Sequence, residues 1–152
     1  MYERKLMAGW RDIDTNSHMG NTAYLDKAVD ARMMYFVDCG FPMSEFVRLR
    51  LGPVVMRDEV EYYREVHLLD EITVTFGLAG LSPDGSRMML RNDIFRDGKL
   101  AARVTTTAGW LDLANRKLVC PPAKILEAMR SLGHSEDYKD LPNISSALPA
   151  TE

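Results

Sequence analysis

The run from Thr22 to Cys39 contains neither glycine nor proline, and it is the feature that most limits the folds open to this chain. Within it, five residues recur at helical spacing: Leu25, Ala28, Val29, Arg32 and Phe36. Gly40 and Pro42 follow at once, as is typical of a helix C-terminus. Because apolar residues cover more than one face, we expect a long helix that the rest of the chain encloses.

Alternation of apolar and polar residues predicts strands on both sides of this helix. One strand is expected over residues 3–10 before the helix, and four are expected after it, over residues 54–64, 72–78, 87–96 and 99–112. Asp97-Gly98 between the last two strands is a strong hairpin signal, since both positions accept a positive φ. One strand, a long helix and four antiparallel strands make an α+β layout.

The C-terminal part is predicted to add a short helix and little else. Pro121-Pro122 opens a helix that continues to Leu132 and ends at Gly133. From His134 the chain is polar, and an extended or frayed end is expected. We therefore divide the chain into one domain, residues 1–133, and a tail, residues 134–152.

Length and charge exclude several classes of partner. At 152 residues one domain with a substantial core is expected, and a net charge of −3 argues against nucleic acid as a partner. No apolar run is long enough to span a membrane, and none resembles a secretory signal. The sequence therefore predicts no membrane partner. Cys39 and Cys120 are expected to be reduced, which favours a cytoplasmic protein.

The junction between the first strand and the helix is crowded with polar side chains that could take part in a reaction: Asp12, Asp14, Asn16, His18 and Asn21. A helix N-terminus stabilises anions and developing oxyanions. It also keeps a nearby carboxylate ionised, as a general base or nucleophile must be. Helix capping would explain one or two of these residues but not five. The junction therefore makes an acyl-transfer site plausible.

Other chemistries fit the junction less well. Asp12, Asp14 and Asn16 match the start of a calcium loop, but Ser17 and Ala23 stand where the loop needs glycine and glutamate. The three histidines are too scattered for a zinc site. A serine triad is disfavoured because the adjacent side chains of Ser17 and His18 diverge. We expect no metal ion.

The pattern D-x-D-x-x-x-H-M-x-N-x-x-Y, which runs from Asp12 to Tyr24, resembles the 4-hydroxybenzoyl-CoA thioesterase-like branch of the hotdog superfamily. The D-x-N-x-H-V-N-N run of fatty acyl-ACP thioesterases is also similar, except that Gly20 stands where Asn is usual. Val60-Glu61-Tyr62-Tyr63 and Leu69-Asp70-Glu71-Ile72 resemble the second strand of the family and its acidic turn into the third. The resemblance covers residues 3–132.

This resemblance implies a hotdog fold, in which a five-stranded antiparallel sheet wraps around a long central helix. It also implies homodimers, or dimers of dimers, with active sites at the subunit interface. Asp14 would act as nucleophile or general base, and the backbone N–H of Asn21 would polarise the thioester carbonyl. His18 and Asn16 would orient Asp14 or the attacking water.

The resemblance further implies an acyl-CoA substrate, with Tyr24, Tyr63 and Arg64 as binding residues. Arg64 is the preferred cation for the coenzyme A phosphates among several candidates. The expected reaction is hydrolysis to a carboxylic acid and free coenzyme A, without metal or cofactor. Two alternatives stay open: an acyl-acyl-carrier-protein thioesterase, and a hotdog protein that binds acyl thioesters without cleaving them.

Overall fold

Seven strands and three α-helices make up the part of the chain that the computed structural model describes, residues 1–150. In chain order they are β1 (Tyr2–Met7), α1 (Asn21–Asp38), α2 (Met43–Leu49), β2 (Leu51–Tyr62), β3 (Glu71–Leu81), β4 (Met88–Arg96), β5 (Lys99–Asp112), β6 (Lys117–Val119), α3 (Ala123–Arg130) and β7 (His134–Asp140). A short 3-10 turn, Trp10–Asp12, lies between β1 and α1. No helix in these 150 residues has the length and apolar composition needed to cross a membrane.

The principal sheet has the strand order β1-β3-β4-β5-β2. All neighbouring strands in it are antiparallel, which confirms the predicted five-stranded antiparallel sheet. Asp97 and Gly98 have φ values of 51° and 72°, which confirms the predicted hairpin turn. The segment between α1 and β2, for which the sequence predicted no helix or strand, contains α2. A helix of seven residues is too short to show a clear apolar period.

Two strands were not predicted. β6 pairs antiparallel with β5, and β7 pairs parallel with β3. β1 covers the edge of β3 from Glu71 to Phe76, and β7 continues along the same edge from Leu78 to Leu81. The segment expected to be extended or frayed therefore begins with a sheet strand. β7 is attached to the sheet edge by its backbone hydrogen bonds, by Tyr138, which packs on the core, and by Asp137, which pairs with Arg91. Its apolar residues are too few to predict a strand. The division of the chain at residue 133 stays a prediction.

β7 passes so close to β3 that a side chain at Gly80 has no room. A Cβ atom there would lie 2.9 Å from the carbonyl oxygen of Lys139 and 2.9 Å from Leu141 Cγ. We expect Gly80→Ala to lower the free energy of unfolding by about 1–3 kcal/mol, measured by urea denaturation. Gly52→Ala is the matched control, since its nearest neighbour, a Leu113 side-chain atom, lies at 3.5 Å. Equal stability of the two variants would contradict this account of β7 packing.

One face of α1 lies on the sheet. Ile72, Val74, Phe76 and Leu78 of β3 alternate along the strand and are fully buried. Val29 and Val37 on the other face of the helix are 41% and 52% exposed. A single chain therefore does not enclose the helix completely, in contrast to the expectation from its composition.

A layer of polar side chains divides the core under α1 into two apolar clusters. The Arg32 guanidinium donates from Nε to Asn92 Oδ1 and from Nη2 to Thr106 Oγ1, each at 2.8 Å. The Thr106 hydroxyl donates to Asp58 Oδ1, and the Asn92 amide donates to the Thr75 carbonyl. Burial lowers the pKa of Arg32 to about 10, so the side chain stays charged at neutral pH.

The positions of the two clusters follow from this layer. On β4, Ile94 belongs to one cluster and Leu90 to the other, with Asn92 between them. On β5, Ala102 and Ala108 lie on either side of Thr106 in the same way. The cluster that contains Ala102 also contains Tyr24 and Met19, near the start of α1. One half of the core therefore lies directly behind the polar junction.

Candidate active site

A tight loop holds the polar junction at the start of α1. Ile13 and Met19 form an antiparallel bridge, and the Asp14 N–H donates to the His18 carbonyl at 2.9 Å. The loop turns through Ser17, whose φ of 65° is unusual for a residue other than glycine. Asp14 Oδ1 accepts the N–H of Asn16 at 2.8 Å, so one carboxylate oxygen is held by the loop itself.

A pocket of about 330 Å³ opens beside this loop, and six of the seven predicted site residues line it: Asp14, His18, Asn21, Tyr24, Tyr63 and Arg64. Asn16 does not line the pocket, and its observed link to Asp14 is through its backbone. Three further lining residues were not predicted: Met19, Tyr62 and Glu65. The roles assigned to all these residues stay predictions.

The imidazole of His18 lies between two carboxylates. Its Nδ1 is 3.8 Å from Asp14 Oδ2, and its Nε2 is 3.9 Å from Glu65 Oε1. Both distances exceed that of a hydrogen bond, and Nδ1 is closer to the Met19 carbonyl, at 3.3 Å. No direct hydrogen bond therefore joins His18 to Asp14.

The first turn of α1 carries no side-chain cap. Gly20 occupies the N-cap position, and its own N–H donates to the Asp12 carbonyl at 2.8 Å. Among residues 1–150 no acceptor contacts the N–H of Asn21. The alternative that the polar residues of the junction simply cap this helix is therefore wrong. The positive end of the helix is open to the pocket.

Asp14 lies beside this open end. A Cβ atom on Gly20 would be 3.5 Å from Asp14 Cβ and 3.9 Å from Asp14 Oδ2. Asp12 has a different environment, because its Oδ2 accepts the Gly9 N–H and pairs with Lys27 Nζ at 2.9 Å. The first aspartate of the motif thus fastens the loop to α1, and the second faces the pocket.

Three tyrosines, Tyr24, Tyr62 and Tyr63, line the pocket together with Asp14 and form its tyrosine wall. Tyr24 is 4% exposed, and its hydroxyl donates to the Arg64 carbonyl at 3.3 Å. The Tyr62 ring meets the Tyr24 ring edge to face, with centroids 5.3 Å apart. Burial raises the pKa of both phenols, so both are hydrogen-bond donors at neutral pH. Tyr63 directs its hydroxyl to Glu61 Oε2, at 2.7 Å.

Arg64 is the one cation among the pocket-lining residues. Its Nη1 donates to the Leu100 carbonyl at 2.6 Å, and the side chain is exposed. Three other basic residues that could bind phosphates pair with acids elsewhere: Arg57 with Glu59, Arg91 with Asp137 and Arg103 with Asp93. Over the described residues no three His, Cys, Asp or Glu side chains are grouped as metal ligands would be.

Comparison with known proteins agrees with the fold. The family model described as "Thioesterase-like superfamily" matches residues 8–129. The fold is similar to that of a 1,4-dihydroxy-2-naphthoyl-CoA thioesterase from Synechocystis, with a TM-score of 0.77, 14% identity, and coverage of 88% of this chain and 98% of that one. No curated protein sequence gives a match.

Two further solved structures have the same fold. A Staphylococcus aureus protein in complex with CoA has a TM-score of 0.76 and 20% identity over 94% of this chain and 87% of that one. A hypothetical protein from Aquifex aeolicus has a TM-score of 0.79 and 20% identity over 85% of this chain and 99% of that one. At these identities the likeness is one of fold.

Proposed function

Because this chain belongs to the thioesterase-like superfamily, we propose that it hydrolyses acyl-coenzyme A thioesters to a carboxylic acid and free coenzyme A. One observation carries the proposal: the Asp14 carboxylate and the unpaired N–H of Asn21 meet in the same pocket. A thioesterase needs a group that delivers oxygen to the carbonyl carbon and a donor that stabilises the oxyanion.

In the proposed reaction the thioester oxygen accepts the N–H of Asn21. Asp14 either removes a proton from the attacking water or attacks the carbonyl itself, giving an anhydride that water then cleaves. In both routes the C–S bond breaks, and the coenzyme A sulfur leaves as a thiolate that takes up a proton. A preorganised donor of this kind contributes roughly 3 kcal/mol to lowering the barrier.

The remaining residues are assigned by their positions. The Asn16 N–H holds one oxygen of Asp14, and His18 orients the other or the water. The acyl group lies against Tyr24 and Tyr63, two of the three tyrosines that line the pocket. Arg64, on the exposed rim, binds a phosphate of coenzyme A. The proposed reaction uses no metal or cofactor.

We also propose that the enzyme works as a homodimer or a dimer of dimers. β2 is the last strand of the principal sheet, and its outer edge carries exposed Val55 and Met56. Val29 and Val37 on α1 are exposed as well. A second chain on these surfaces would bury apolar side chains that a single chain leaves in water.

Thiol release from a panel of short, long and aromatic acyl-CoAs tests the proposed function, with matching acyl-carrier-protein thioesters assayed in parallel. We expect catalysed release from at least one acyl-CoA. Faster release from the carrier-protein thioesters would favour that alternative substrate. Saturable binding of acyl-CoA with no release would mean that the protein binds thioesters without cleaving them.

A further inference from the structure

The hydroxyl of Tyr62 donates to the backbone carbonyl of Asn21, with an O···O distance of 2.9 Å. Tyr62 is the last residue of β2, and Asn21 is the first residue of α1. In the described part of the chain no other side chain is hydrogen-bonded to the backbone of the first helical turn. The end of the edge strand is thereby attached to the start of the helix that faces the pocket.

This attachment differs from an ordinary N-cap. A capping Ser, Asp or Asn side chain accepts the N–H groups of the first turn and so consumes the donors that an oxyanion would need. Here the N-cap is Gly20, which has no side chain, and Tyr62 holds the turn through a carbonyl instead. The first turn is fastened. The Ala23 N–H donates to the Gly20 carbonyl at 3.0 Å, and in the described part of the chain the N–H groups of Asn21 and Thr22 stay free.

The hydrogen bond also acts on one of these two donors, the N–H of Thr22, which is next to the N–H of Asn21. The carbonyl of Asn21 and the N–H of Thr22 belong to one peptide group, and a hydrogen bond to the carbonyl polarises that group. The N–H of Thr22 becomes a stronger donor, and the positive potential at the open end of α1 increases. The edge-to-face contact with Tyr24 keeps the Tyr62 ring in place to do this.

We propose that Tyr62 is a positioning residue for thioester hydrolysis, which holds the first turn of α1 through the Asn21 carbonyl and leaves the N–H groups of Asn21 and Thr22 free for the substrate oxygen. The inference rests on the proposed function. Because the charge on the oxyanion develops in the transition state, the hydroxyl of Tyr62 affects kcat more than KM.

Tyr62→Phe removes this hydroxyl and keeps the ring. Tyr2→Phe is a matched control, because Tyr2 also lies on an edge strand and its hydroxyl also donates to α1. Its acceptor is the Asp38 side chain, at the other end of the helix. We expect Tyr62→Phe to lower kcat about tenfold with KM within about twofold, and Tyr2→Phe to change neither. Steady-state thiol release measures both constants.

Three results would overturn the role of Tyr62 while the proposed function stands: an unchanged kcat in Tyr62→Phe, a rise in KM alone, or an equal loss of kcat in Tyr2→Phe. An inactive wild type would instead overturn the proposed function. The amide proton shift of Thr22, measured by NMR, needs no activity. We expect it to move upfield in Tyr62→Phe and stay unchanged in Tyr2→Phe, and no movement in Tyr62→Phe would contradict the attachment.

Discussion

Asp14→Asn is expected to lower kcat by about a thousandfold, with little change in KM. The substitution keeps the size of the side chain and an oxygen that can accept the Asn16 N–H, but it removes the charged oxygen that acts as base or nucleophile. General base catalysis by a positioned group contributes about 10²–10⁴ in rate. Thiol release under saturating acyl-CoA measures the effect.

The control is the other aspartate of the motif. Asp12→Asn breaks the pair with Lys27 but leaves the carboxylate of Asp14 in place. We therefore expect the folded variant to have a kcat within about threefold of the wild-type value. A folded Asp14→Asn protein with wild-type kcat would remove Asp14 from the mechanism. Equal losses in the two variants would mean that Asp14 acts only by holding the loop.

Arg32→Ala is expected to lower the free energy of unfolding by about 3 kcal/mol, a large part of the stability of a domain of this size. The variant removes the donors for Asn92 Oδ1 and Thr106 Oγ1 inside the core and leaves a cavity between the two apolar clusters. Both effects are costly because buried polar atoms lose their partners and apolar side chains lose their contacts. Urea denaturation of wild type and variant measures the difference.

Arg4→Ala is a suitable control for charge alone. Arg4 on β1 pairs with Asp38 at 3.5 Å, and Asp38 belongs to α1, the helix that carries Arg32. Both side chains of this pair are about half exposed. We expect a loss below about 1 kcal/mol, as for surface ion pairs in general. Arg32→Met fills most of the space without restoring the donors. We expect its free energy of unfolding to lie between those of Arg4→Ala and Arg32→Ala. A loss below 1 kcal/mol in Arg32→Ala would show that the polar layer relaxes without cost.

The residues of the candidate site differ in how far the sequence could identify them. Asp14, His18 and Asn21 stand within eight positions of one another, so a local pattern was enough to single them out. Residue spacing alone could not separate Asp12 from Asp14, and only the family resemblance assigned the catalytic role to Asp14. The structure adds that Asp12 pairs with Lys27. Tyr62 and Glu65 come to the pocket from β2 and the loop after it, and only strand register places them there.

The sequence by itself determined the helix, the five principal strands and the hairpin at Asp97-Gly98, because periodicity and turn chemistry act between near neighbours in the chain. Tertiary structure alone decided that polar β7 joins β3, that Arg32 is buried, and that Tyr62 meets Asn21, 41 residues away. Each of these contacts depends on how distant segments align, and a change of one residue in register would turn the side chains to the opposite face of the sheet.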